Sequence, residues 1–114
     1  MVAERGAQHG TDVLLRQVES HLTIVRAGLR DADLALAERL AASLRELVIE
    51  TTSSSAADRA RVRAAVHRFV LRRNTHGPLP PARSLAETRV VVNRIVIQLG
   101  RPDLAVASTQ DGAA

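Results

Sequence analysis

The sequence predicts an all-α protein, a compact bundle of about four helices. Apolar residues recur at spacings of three and four along most of the chain, the period of a helix face. Capping residues and helix breakers divide this pattern into four segments. The 114 residues include no cysteine and one aromatic residue, Phe69, so Ala, Leu, Val and Ile have to form the core. A chain of this length can form one domain without disulfides or zinc.

The first helix is predicted over residues 12–30, with Thr11 or Asp12 as its N-cap. Residues 1–10 are assigned to a flexible N-terminal tail, and they lack the apolar run of a secretory signal. The predicted buried stripe consists of Leu15, Val18, Leu22, Val25 and Leu29.

The second helix is predicted over residues 32–50, with Asp31 or Asp33 as its cap. Acidic residues there also complement the helix dipole. The connection to the first helix is very short, so the two should form an antiparallel hairpin. The predicted stripe of the second helix consists of Ala37, Leu40, Leu44, Leu47 and Val48.

The third helix is predicted over residues 56–73, after a Thr/Ser-rich break at 51–55. Ser55 followed by Asp58 is a variant of the capping box, with Asp in place of Glu. The predicted buried stripe of this helix consists of Val62, Val66, Phe69 and Val70.

The fourth helix is predicted over residues 85–99, after a proline-rich loop at 74–82. Ser84 and Glu87 form a capping box, and Gly100 is the predicted C-terminal cap. The β-branched run 90–97 also suits a strand, but the caps and the lack of a partner strand favour a helix. The bundle is expected to span 11–101, followed by a flexible tail at 102–114. The predicted buried stripe of the fourth helix consists of Thr88, Val92, Ile95 and Leu99.

Positive charge is concentrated in the third helix. Residues 59–73 hold six arginines and no acid, a net charge of +6, whereas the rest of the chain carries −2. Three interpretations remain open: a solvated face with ion pairs to neighbouring helices, a site for an acidic protein, or a site for phosphates. The lack of aromatics argues against stacking on single-stranded nucleic acid. The candidate binding residues are the stripe Arg61, Arg68 and Arg72, flanked by Arg59, Arg63 and Arg73.

One pair of residues suggests an enzyme. Arg61 and His67 are separated by five residues, which is similar to the pattern of HEPN-type ribonucleases, an Arg followed by four to six residues and a His. Those proteins are small all-α domains that often dimerise. In that interpretation His67 would act on the ribose hydroxyl and Arg61 would steady the phosphate. The spacing places the two side chains about 120° apart on a helix.

Other chemistry is not indicated. The four histidines are scattered, without the one-turn spacing of a helical metal site, and no glycine-rich phosphate loop is present. We therefore expect no metal, cofactor or small-molecule substrate, and a non-enzymatic protein.

The fourth helix has more apolar residues than one buried stripe needs. Val91 and Ile97, or Val90 depending on the rotation of the helix, are the candidate apolar interface. The alternative is a central helix that is buried on all sides.

Two stretches resemble a known family. Residues 27–47, AGLRDADLALAERLAASLREL, form a helix pair broken at an acidic turn, and residues 79–100, LPPARSLAETRVVVNRIVIQLG, place a proline loop before an apolar helix. Both resemble the CATRA-associated small helical proteins of actinobacterial conflict systems. The resemblance implies a non-enzymatic accessory protein, encoded beside a caspase-like peptidase and helical-repeat partners, and it carries over no catalytic residue.

These observations favour a cytoplasmic adaptor or accessory module that binds another protein or associates with itself, away from membranes. The first alternative is a nucleic-acid-binding protein that uses the arginine stripe. The second is a HEPN-like ribonuclease.

Overall fold

The described chain is a bundle of four α-helices. A computed structural model describes residues 2–70 and 82–107, with side chains over 10–70 and 85–107. The helices are α1 (Val2–Gly28), α2 (Asp31–Glu50), α3 (Ala56–Val70) and α4 (Ala82–Gln98), and a short 3-10 helix (Pro102–Leu104) follows them. Over these ranges no strand occurs, so the all-α prediction is confirmed and the β-branched run 90–97 is helical.

The first two helices form the predicted antiparallel hairpin. Near the start of α1, the Thr11 hydroxyl lies 2.8 Å from the Thr52 hydroxyl, just past the end of α2. Near the other end, Arg26 of α1 forms an ion pair with Glu38 of α2 at 3.4 Å. Only Leu29 and Arg30 connect the two helices, and so short a connection favours antiparallel packing.

The core is mostly aliphatic, and α2 and α3 each contact the other three helices. All five residues of the predicted α2 stripe are buried. Phe69 of α3 adds the one aromatic ring of the chain, and its centroid lies 5.0 Å from that of His21 in an edge-to-face contact. The other predicted stripe residues that are buried are Val18, Leu22, Val25, Val62, Val66, Thr88, Val92 and Ile95, while Leu15, Leu29, Val70 and Leu99 pack against them half-buried.

The start of α1 differs from the prediction. The helix begins at Val2, so the assignment of Thr11 or Asp12 as its N-cap was wrong, and residues 2–10 are helical rather than a separate tail. Thr11 lies within α1, where its side chain is buried and its hydroxyl contacts the Thr52 hydroxyl. Good helix formers such as Ala3, Glu4 and Arg5 favour this extension.

The start of α2 also differs. Arg30 is the N-cap, in an extended conformation, and Asp31 and Asp33 lie in the first turn instead of capping it. Asp31 has a φ of 54°, a left-handed conformation that a short polar side chain tolerates. The two carboxylates still lie where negative charge complements the helix dipole.

The Ser55 cap of the first predicted capping box is confirmed, and the second predicted box is wrong. The Ser55 hydroxyl accepts a hydrogen bond from the backbone N–H of Asp58 at 3.2 Å, as an N-cap should. The second, Ser84 with Glu87, fails because α4 begins at Ala82 and Ser84 lies within the helix. The Glu87 carboxylate pairs with Arg68 of α3 at 2.7 Å.

The end of α4 is confirmed as predicted. Gly100 has a φ of 75°, and its N–H donates to the carbonyl of Ile97 at 3.1 Å. The N–H of Arg101 donates to the carbonyl of Val96 at 2.7 Å, which completes a Schellman motif.

The chain beyond α4 is not simply a loose tail. We call residues 101–107 the C-terminal strap, because they run back along the bundle and Val106 is only 4% exposed. The assignment of 102–114 to a flexible tail was therefore wrong for 102–107. Residues 71–73 at the predicted end of the third helix, most of the proline loop and residues 108–114 lie outside the described residues.

Candidate interaction surfaces

Two of the four described arginines of α3 pair with the chain's own acids. Arg61 pairs with Asp58 one turn earlier at 2.8 Å, and Arg68 pairs with Glu87 of α4 at 2.7 Å. Arg59 donates to the backbone carbonyl of Ser54. These pairs are largely exposed, so each contributes little stability, but each lowers the positive charge presented to a partner.

The rest of the candidate arginine surface is only partly visible. Arg63 is exposed on α3. Arg72 and Arg73 lie outside the described residues. The predicted three-residue stripe therefore reduces, over the described chain, to two arginines that already have carboxylate partners.

The arginines also lie at the side of α3 rather than opposite its buried face. Ala65 is buried together with Val62, Val66 and Phe69, which turns the centre of the buried face toward Arg61 and Arg68. At about 100° per residue, the direction away from the core then falls near Ala60, Ala64 and His67, all of which are exposed. The outermost surface of α3 is therefore mostly alanine.

The ribonuclease-like pair is not assembled into a site. His67 is exposed on one side of α3, whereas Arg61 lies toward the other side and binds Asp58. Among the described residues, no group of three or more His, Asp or Glu could hold a metal ion. Of the other histidines, His21 is buried beneath the α1 surface, and the side chains of His9 and His76 lie outside the described residues.

The outer face of α4 carries two large apolar side chains. Val90 is 50% exposed and Ile97 is 65% exposed, and their separation of seven positions, about two turns, places both on one side of the helix. The exposed Arg94 lies on the same side. Val91, the third candidate, is half-buried against the core, so the rotation of the helix selects Val90 and Ile97 as the apolar pair.

One flank of α4 holds the C-terminal strap through Asn93, a residue that is not among the candidates predicted from the sequence. Asn93 Oδ1 accepts the N–H of Val106 at 2.7 Å, and Asn93 Nδ2 donates to the carbonyl of Val106 at 3.0 Å. Arg89 donates to the same carbonyl at 3.3 Å, and Ser43 of α2 donates to the carbonyl of Leu104 at 2.7 Å. The available signal was an amide interrupting the apolar run 90–97.

Arg101 connects the base of the strap to α2. Its guanidinium pairs with Glu50 and forms two hydrogen bonds with the carboxylate of Asp103, at 3.0 and 2.8 Å. The hydrogen bond from Arg101 lowers the pKa of Asp103 below its ordinary value, and the nearby guanidinium charge acts in the same direction. The hydrogen bond with Asp103 in turn raises the pKa of Arg101 above its ordinary value, so these two groups favour their ionised forms together.

A cavity of about 380 Å³ opens between α1 and the end of α3, lined by apolar and polar side chains. The side-chain oxygen of Gln17 is buried there and accepts no hydrogen bond from the described residues. One wall of the cavity is formed by Val70, which is the last described residue of α3. Its lining residues are Val13, Arg16, Gln17, Ser20, His21 and Val70.

No helix of the described ranges combines the length and the apolar character needed to cross a bilayer. No protein family, curated protein or solved structure matches the chain.

Proposed function

We propose that this protein is a small non-enzymatic interaction module that binds another protein, or a second copy of itself, through the outer face of α4. The observation that carries the proposal is the exposure of Val90 and Ile97, at 50% and 65%, on one side of a helix whose other side is buried. Binding that removes apolar side chains of this size from water is favourable, because of the hydrophobic effect. Arg94 between them can add orientation through charge.

The ion pairs of α3 favour a protein partner over nucleic acid. A phosphate would have to compete with Asp58 for Arg61 and with Glu87 for Arg68. Cationic side chains that neutralise phosphates release counterions from the nucleic acid, and this release provides much of the affinity. Arginines that already pair with carboxylates contribute less to it. The ribonuclease proposal is weaker still, because Arg61 and His67 face different sides of α3.

The resemblance to CATRA-associated proteins supports a biological setting for the module. Residues 27–47 of that resemblance cover the turn and most of α2 in the hairpin, and residues 79–100 include all of α4. We infer an accessory role in a bacterial conflict system, in the cytoplasm, with α4 as the contact to the partner.

Affinity capture from the native host, with and without nuclease, tests the proposal. The double variant Val90→Ser/Ile97→Ser should lose proteins that survive nuclease treatment in the wild-type capture. Ile49→Ser is the matched control, because Ile49 is 54% exposed but lies on α2. An unchanged set of proteins with the double variant, or complete loss on nuclease treatment, would reject the proposal.

A further inference from the structure

The end of the C-terminal strap, after its 3-10 helix, lies on the bundle as an extended segment. Ala105, just after the 3-10 helix, has φ −61° and ψ 140°, and its side chain is exposed. Leu104 and Val106, on either side of it, face the helices: Leu104 is half-buried and Val106 is 4% exposed. This alternation is that of a strand, in which every second side chain points to the same surface.

The groove between α2 and α4 recognises the main chain of the strap rather than its side chains. The Asn93 amide pairs with both the N–H and the C=O of Val106, at 2.7 and 3.0 Å. Ser43 and Arg89 bind the carbonyls of Leu104 and Val106 at 2.7 and 3.3 Å. Main-chain pairing of this kind gives affinity for any extended segment, and specificity is left to the side-chain pockets.

The strap begins at a sharp turn and is anchored there by exposed ion pairs. It starts at Gly100, whose φ of 75° marks a sharp turn out of α4, and the ion pairs of Arg101 with Glu50 and Asp103 are exposed. Beside the strap, on the α2 side, an open cavity of about 410 Å³ is lined by Arg39, Ser43, Glu46 and the strap itself. A cavity of this size is within the range of ligand sites, so it provides room for a second segment.

We propose that this groove is a peptide-binding site and that the strap is its internal competitor. The occupant from outside is an extended segment of another protein with two aliphatic residues separated by one, as in Leu104-Ala105-Val106. Its main chain takes over the hydrogen bonds of Asn93 and Ser43, and its second aliphatic residue fills the space of Val106. The strap contacts α4 through Asn93 and Arg89, on the flank of the helix beside Val90 and Ile97, and the site uses neither of those two residues.

A labelled peptide, Pro-Asp-Leu-Ala-Val-Ala, tests the site by fluorescence anisotropy with the full chain. Val106→Asp should release the strap, because a carboxylate is unfavourable at a position 4% exposed. Ala107→Asp is the matched control, since it adds the same charge at an exposed position. We expect the peptide to bind Val106→Asp at least about tenfold more tightly than Ala107→Asp or the wild type, because a tethered competitor has a high effective concentration.

Adding Asn93→Asp to Val106→Asp should abolish this binding, because a carboxylate cannot donate to the peptide carbonyl. A Val106→Asp protein that keeps its helical circular dichroism but binds no peptide would overturn the proposal. Equal affinity of Val106→Asp and Ala107→Asp would overturn it as well.

Amide hydrogen exchange of the wild-type chain decides the question if Val106→Asp does not fold. The N–H of Val106 should exchange at least about a hundredfold faster than that of Leu44 in α2, because the strap opens without the bundle. Excess peptide should also shift the side-chain amide signals of Asn93. Exchange of Val106 at the rate of Leu44 would show the strap to be a fixed part of the core and would refute the proposal.

Discussion

Asn93 illustrates how one side chain can hold a segment that belongs to none of the four α-helices. We predict that Asn93→Ala lowers the free energy of unfolding by about 1–3 kcal/mol, because it leaves the N–H and C=O of Val106 without this partner. Urea unfolding followed by circular dichroism measures the change. Arg94→Ala is the control at the adjacent exposed position, and it should change the stability by less than about 0.5 kcal/mol. Equal effects of the two variants would refute the role of Asn93.

Asp103 makes the stability of the strap dependent on pH. Its pKa in the folded protein lies below the ordinary 3.8, because Arg101 donates hydrogen bonds to the carboxylate. A depressed folded pKa contributes stability above the unfolded pKa, and this contribution is lost as the pH falls through the folded pKa. Asp103→Asn should therefore lower the melting temperature at pH 7 and have a smaller effect at pH 3. Melting curves of both proteins across this range measure the difference, and a difference that grows toward pH 3 would contradict the assignment.

At the scale of elements, Gly10 and Gly100 both have room for a side chain, but only Gly100 has a backbone conformation that disfavours one. A Cβ added at Gly10 or at Gly100 would meet no atom within 4 Å. Gly100 has a φ of 75° at the end of α4, whereas Gly10 lies inside α1. Gly100→Ala should therefore destabilise the protein by about 1 kcal/mol, and Gly10→Ala should stabilise it by about 0.5–1 kcal/mol. Thermal unfolding of both variants would show opposite shifts, and shifts of the same sign would contradict this account.

The sequence-based predictions succeeded where a repeated pattern defines an element. The apolar spacing of α2 predicted five residues that are all buried. Such a pattern is informative because several turns of the helix repeat it and together define one buried face. Single capping residues were less informative. Ser84 and Glu87 have the spacing of a capping box, but α4 begins at Ala82 and Glu87 pairs with Arg68.

The candidate surfaces were harder to predict than the core. The exposure of Val90 and Ile97 depends on the rotation of α4, which the packing of Leu85, Val92 and Val96 against the core determines. The strap was missed because its main contact joins Val106 to an amide 13 residues earlier, a pairing without a local sequence pattern.

For the molecule as a whole, the distribution of charge matters more than the formal net charge of +4. Any nucleic-acid binding by the wild type should depend weakly on salt, because Arg61 and Arg68 are paired within the chain. Asp58→Asn/Glu87→Gln should release both arginines and steepen the slope of log affinity against log salt by up to about two. Titration of a DNA duplex at several salt concentrations measures the slope. A steep wild-type slope that Arg61→Glu/Arg68→Glu reduces would contradict the preference for a protein partner.

The claim that the outer face of α4 contacts a protein can be tested most directly by site-specific photo-crosslinking in the native host. A photoreactive amino acid replaces Ile97 in one variant and Ile49 in the other, since both positions are more than half exposed. We predict a covalent protein adduct from position 97, either with another protein or with a second copy of this chain, and none of the same mass from position 49. The absence of an adduct from position 97, or the same adduct from both positions, would contradict the proposed function.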